Sequence, residues 1–184
     1  MSTALTVIQI IVCISMFTTS VLFATLKSSW LAIIPGIASI AYFLTIRDKA
    51  HTEMYRYGDW ALTMPLMLMA LLTNNNVTNS YIQIVLFLQV LMVASGYFSV
   101  KTEEKNKKWL WFLLGLTVFA PIAYALYSLP IEKQASMFIL VCYSLYQFIW
   151  VLNTNYIMND DVTNISYALL DSVTKVGLLN LLHI

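Results

Sequence analysis

Charge is what this chain has least of. Only 10% of its 184 residues are Asp, Glu, Lys or Arg, where a soluble domain carries roughly 25%. No sign dominates either. A net charge of +1 excludes a nucleic-acid binder that works through a broad basic surface. Cysteine is nearly absent. Cys13 and Cys142 both stand inside apolar runs, where a free thiol acts as a small hydrophobe, so no disulfide framework is implied. His51 and His183 lie near the ends of apolar runs and make no metal set. The first apolar run lacks a basic leader and a clear small-residue cleavage site, so it reads as a retained helix and not a signal peptide. What replaces charge is hydrophobicity: 60% of the residues are hydrophobic and the mean hydropathy is +0.76. Such a chain cannot cover itself with polar surface. Lipid must be its main solvent, which makes it a multi-pass integral protein of the cell membrane.

A spanning helix needs about 20 largely apolar residues. Reading between the polar interruptions gives seven: 4–26, 30–46, 54–72, 80–100, 109–128, 134–153 and 164–183. The breaks are Lys27–Ser29, Arg47–Glu53, Thr73–Asn79, Lys101–Lys108, Leu129–Lys133 and Thr154–Thr163. Connections this short force sequential neighbours to lie antiparallel. The expected architecture is a single all-α domain over 1–184, with no room for a soluble module. The Lys101–Lys108 run is expected to be a solvated connection, close to lipid head groups. Asn76-Val77-Thr78 and Asn164-Ile165-Ser166 fit a glycosylation pattern too short to carry weight.

Ionisable residues within spans are costly and mark function. Deep in the spans stand Asp59, Asp171 and Lys175, with Arg56 a turn nearer the boundary. Asp171 and Lys175 are four apart and share a helical face; Arg56, Asp59 and Thr63 share another. A buried lysine beside two carboxylates has two readings. One is a structural ion pair that holds a bundle together. The other is a lysine whose nitrogen forms a Schiff base, with the carboxylates as counter-ions.

The surrounding words decide between them. The third span reads Arg56-Tyr57-Gly58-Asp59-Trp60, then Thr63, then Pro65-Leu66-Met67-Leu68; the last reads Asp171-Ser172-Val173-Thr174-Lys175-Val176-Gly177. Both resemble the third and seventh helices of the microbial (type 1) rhodopsins, bacteriorhodopsin-like, with their patterns R-Y-x-D-W-x-x-T-x-P and D-x-x-x-K. The two match independently, in the right order for a seven-span chain.

The resemblance implies a seven-helix fold around all-trans retinal, bound covalently to Lys175 as a protonated Schiff base. It makes Asp59 the primary counter-ion and proton acceptor, Asp171 the second counter-ion, and Arg56 the arginine stabilising both. Thr63, one turn beyond Asp59, is placed to hydrogen-bond its carboxylate. Trp60, Tyr143, Tyr146 and Trp150 match the aromatic slot; Met67, Met92, Ser95 and Gly96 resemble its remaining wall, and Thr174 precedes the lysine. Tyr42 resembles a tyrosine that bonds the Asp171 equivalent. Pro35 and Pro65 resemble helix-bending prolines. Tyr143 stands where the family usually has tryptophan, and Gln147 where proline is common. For each aromatic residue alone, ordinary bundle packing or an interfacial belt is the alternative.

The family contains pumps, sensors and channels, and this chain is expected not to be an enzyme. In bacteriorhodopsin-like pumps the position eleven residues after the acceptor carries a carboxylate donor, roughly 16 Å further along the same face. Here it is Ala70, and Gln89 stands where another aspartate occurs. Reprotonation then relies on bulk water, which makes a slow light-driven proton pump the first reading. A sensory photoreceptor signalling to a partner is the alternative, since Thr174 resembles some sensors. A light-gated cation channel comes third, because residues 30–46 hold no acidic side chain. A structural membrane protein of another class would give no coloured product with retinal. Lipid, protons or small ions, and copies of the chain in a trimer or pentamer are the expected partners.

The family places the N-terminus outside, leaving only Lys27 and Lys133 in the cytoplasmic connections. Arg47, Lys49, Lys101, Lys105, Lys107 and Lys108 fall outside, the reverse of the positive-inside rule. Glu53, Asp160 and Asp161, on the side where Arg56 points, are either proton-release groups or solvated loop charges.

Overall fold

The computed structural model describes residues 2–26, 30–75, 77–128 and 132–182. The Lys27–Ser29 break, Asn76 of the first glycosylation pattern, Leu129 and His183 lie outside them. Seven helices occupy the expected order: α1 (Thr3–Leu26), α2 (Ile33–Arg47), α3 (Thr52–Asn74), α4 (Asn79–Lys101), α5 (Lys105–Ser128), α6 (Lys133–Thr154) and α7 (Asp160–Leu182). Short 3₁₀ turns, Trp30–Ala32 and Lys49–His51, precede α2 and α3. Each helix packs against its chain neighbours, and α1 against α7 closes the ring.

Six helices are long and apolar enough to cross a membrane; α3 alone is not. It carries Glu53, Arg56 and Asp59 together with polar Thr63 and a proline, and of these Asp59 is needed in the buried site. α3 tolerates them because it is enclosed by its neighbours. Met64, Met67, Leu68, Leu71 and Leu72 are almost fully buried.

The helix ends correct the expected boundaries. The Lys101–Lys108 run is not one solvated connection: Lys101 ends α4, Lys105 opens α5, and only Thr102–Glu104 join them. α7 likewise begins at Asp160, where two carboxylates sit favourably at the positive end of the helix dipole. Pro65 and Pro121 lie inside α3 and α5, whereas Pro35 falls in the first turn of α2, where a proline starts a helix and does not bend it. α6 ends as Tyr156 takes a left-handed conformation (φ 60°), and the Ile157 amide bonds back to the Leu152 carbonyl at 2.9 Å.

Hydroxyls within lipid-facing helices must be satisfied locally. Thr19, Ser95, Thr117, Ser144 and Thr174 each donate to the carbonyl four residues back. Between helices, Ser20 donates to the Ala32 carbonyl at 2.8 Å and Ser39 to that of Cys13 at 3.2 Å. These tie α1 to α2.

Outside the spans, Asp48 accepts from the Tyr55 hydroxyl (2.9 Å) and lies 2.8 Å from His51 Nδ1. The Tyr55 bond, then the His51 bond, hold its carboxyl below the usual range.

Candidate functional site

The i, i+4 spacing in α7 brings Asp171 and Lys175 to its inner face, and α3 presents Asp59 opposite. The Lys175 Nζ donates to Asp59 Oδ2 and lies 3.5 Å from Asp171 Oδ1. All three side chains are 1% exposed. A charge at that depth persists only when compensated.

The two carboxylates differ in support. Asp171 accepts from Tyr42 of α2 (2.7 Å), Trp60 of α3 (2.9 Å) and Tyr146 of α6 (2.6 Å). It is pinned from three helices. Asp59 bonds Lys175 through one oxygen, while its Oδ1 has no hydrogen-bond partner. Thr63 donates to the Asp59 backbone carbonyl at 2.9 Å, the nearest acceptor one turn back, and its hydroxyl also lies close enough to the Asp59 carboxylate to interact with it.

Arg56 turns towards α7. It forms no ion pair with either aspartate among the described residues. Its guanidinium donates to Asn164 Oδ1 and lies over the Tyr167 ring, 4.7 Å from the centroid. Arg56, Asp59 and Asp171 nevertheless border one small polar cavity with Gln9, Tyr42, Thr45, Thr52 and Asn164.

An apolar cleft opens on the other side of Trp60. Trp60, Met92, Gly96, Tyr143, Tyr146 and Trp150 line it, as the resemblance implied. Tyr57, Met64, Phe112, Gly115 and Tyr167 complete much of the remaining wall. Trp60 meets Tyr146 and Tyr167 edge to face, and Phe112 stacks on Trp150 with centroids 4.3 Å apart. Gly96 lets the Tyr57 ring close in: a Cβ there would stand 3.0 Å from it. Lys175, Tyr42, Met67, Ser95 and Thr174 are buried beside the site but do not line this cleft. Tyr143 crosses to α3, its hydroxyl donating to the Met64 carbonyl at 3.2 Å.

Beyond Arg56 a wider vestibule is bordered by Lys49, Glu53, Asn153, Asp160 and Asp161. Its acids are engaged: Glu53 with Lys101 (3.0 Å), Asp160 with Asn153 (3.1 Å) and Asp161 with the Ser2 amide (2.7 Å). The opposite half is apolar around Ala70, which is 1% exposed and belongs to a core with Leu68, Leu71, Leu126, Ile139 and Leu178. Gln89, also fully buried there, donates to the Met64 sulfur at 3.4 Å.

Sequence reading missed Gln9, Asn164 and Tyr167. The available signal was the lone amide of Gln9 within the otherwise apolar stretch Val7–Ile14.

A family model described as bacteriorhodopsin-like protein matches residues 1–183. Sensory rhodopsin-2 of Haloarcula vallismortis is 28% identical over 169 residues, covering 78% of this chain and 70% of the relative. Archaerhodopsin-2 of Halobacterium sp. (strain aus-2) is 23% identical over 172 residues, covering 79% and 66%. Among solved structures, cyanorhodopsin from Calothrix sp. NIES-2098 superposes with a TM-score of 0.90 at 19% identity, over 100% of this chain and 95% of that one. The proton pumping rhodopsin AR2 from Acetabularia acetabulum gives 0.87 at 20%, over 97% and 92%. With a match along almost its whole length and the helices to cross a bilayer repeatedly, the chain belongs to the bacteriorhodopsin-like family of microbial rhodopsins and is a multi-pass integral membrane protein.

Proposed function

We propose that this protein is a retinal-binding, light-driven proton pump with a slow cycle. The observation that carries the reading is the buried Lys175, paired with a weakly supported Asp59 and a firmly held Asp171. The residues fit retinal. The lysine is compensated for positive charge, the cleft beside Trp60 has flat aromatic walls, and Gly96 and Gly115 remove Cβ atoms from α4 and α5. Asp59 Oδ1 is a buried acceptor still open to a proton. When bound to Lys175, retinal supplies absorption of a photon and a change of shape at the lysine nitrogen.

The chain's residues do the rest. Asp59 takes the proton from the Lys175 nitrogen, because it is in direct contact with that nitrogen and is held by fewer protein donors than Asp171. Asp171 keeps its charge, because Tyr42, Trp60 and Tyr146 stabilise the anion. The polar cavity at Asp59 leads the proton towards Arg56 and the vestibule. Return from the opposite face must pass Ala70 and its apolar surroundings, so recovery is the slow step. Trimers or pentamers in the bilayer complete this reading.

Retinal-loaded protein in liposomes tests it. Illumination should change external pH, and a protonophore should abolish the change; no such change sinks the pump. The second reading is a sensor. It is favoured by the sealed half around Ala70 and by Thr174, and sensory rhodopsin-2 is among the relatives. A normal photocycle with no proton movement across the membrane would select it.

A further inference from the structure

Among the described residues three buried side-chain acceptors lack a donor, those of Gln9, Asp59 and Gln89, and the first two face the same space. Gln9, 1% exposed, leaves its Oε1 without a hydrogen-bond partner, as Asp59 leaves its Oδ1. Both line the small cavity with Tyr42, Arg56, Asn164 and Asp171. Neither oxygen carries a hydrogen, so they cannot satisfy each other. No donor bordering the cavity reaches either oxygen, and three of them are directed elsewhere. The Tyr42 hydroxyl goes to Asp171, the Arg56 guanidinium to Asn164, and the Thr52 hydroxyl to the Lys49 carbonyl. Leaving a buried acceptor unpaired is costly, and more so for a charged one. The cavity has room for about one water molecule, and a buried water needs two to four polar partners. A single water donating one hydrogen to each oxygen answers both needs.

We propose that Gln9 is a positioning residue for the proton acceptor: its amide oxygen fixes a buried water that donates to Asp59 Oδ1. The first helix, otherwise a lipid-facing wall, thereby helps to set when Asp59 takes a proton. The groups facing Asp59 are Tyr42 from α2, Arg56 on α3 itself, and Asp171 and Lys175 from α7. From α1 only uncharged Gln9 faces it. Replacing Gln9 thus changes no charge, and any effect is routed through hydrogen bonding.

This inference rests on Asp59 being the acceptor in a retinal pigment, and the experiment separates the two. Wild type and Gln9→Met, an isosteric change that removes the acceptor, are loaded with retinal and titrated with acid by visible absorption. The variant's spectral transition should move to higher pH by about one unit, a tenfold change in proton affinity. Gln9→Asn, which keeps an amide, should fall between. Light-minus-dark infrared spectra of wild type should show a strongly hydrogen-bonded water stretch that shifts in H₂¹⁸O. An unmoved midpoint in Gln9→Met overturns the proposal, as does the absence of that water band from wild type, which stands even if the variants do not fold. A midpoint that depends on exchanging sodium for choline would place a cation in the cavity and also overturn it. Failure of wild type to form any pigment would instead refute the retinal reading.

Discussion

Replacing Asp59 by Asn removes the charge that directly contacts Lys175 while keeping the side-chain shape. Both side chains are 1% exposed, and removing one partner of a buried pair costs about 3–5 kcal/mol. The lysine nitrogen is not left alone. Asp171 Oδ1 stays 3.5 Å away, and that contact is worth about 5 kcal/mol at an effective dielectric constant near 20. The net loss therefore falls at the lower end, about 3 kcal/mol. It should appear as a fall of about two pH units in the alkaline midpoint at which the visible band disappears. The band itself should move to the red. The assay is an absorption titration of retinal-loaded protein in membranes. Asp171→Asn is the informative contrast, because Tyr42, Trp60 and Tyr146 all donate to that carboxylate. Asn accepts through one oxygen only, so its variant should lose thermal stability as well as colour. An unchanged midpoint and spectrum in Asp59→Asn would refute the assignment and leave Asp171 as the dominant counter-ion.

Lys175→Ala should give no covalent pigment, read as no visible band surviving acid denaturation. Ala70→Asp should speed recovery of the photocycle at neutral pH if the missing donor limits it, and unchanged flash-photolysis kinetics would exclude that cause. Gly177→Ala should destabilise the α6–α7 contact by about 1–3 kcal/mol, because a Cβ there would stand 2.7 Å from Phe138 Cζ; thermal bleaching measures it. Tyr55→Phe should return Asp48 towards the ordinary carboxylate range, followed by carboxyl carbon NMR. The depressed Asp48 supports the folded state above its unfolded value near 4 and loses that contribution as pH falls through the folded one. The variant should therefore be less sensitive to acid at this turn.

The site was legible in the sequence to the extent that local spacing creates it. Asp171 and Lys175 share a face because they are one turn apart, and the scarcity of charge made Asp59 and Arg56 conspicuous against lipid-facing runs. Tyr42 bonding Asp171 could be named only through the family resemblance, since no local rule joins positions 129 residues apart. Helix starts were less legible for a different reason. Lys105 and Asp160 are polar enough to look like connections, yet a helix can run past the hydrocarbon boundary into the head-group region. Arg56 shows the deeper limit. Its place on α3 follows from spacing, but its partner depends on which acceptor α7 presents at that depth, and Asn164 lies a full two turns from Asp171. A flexible guanidinium chooses among acceptors by reach and not by charge alone, so its bonding to Asn164 separates it from Asp59 and Asp171 and leaves between them the space that Gln9 borders. The polar cavity is thus a product of four helices, and of their sequences taken singly only the lone amide of Gln9 hints at it.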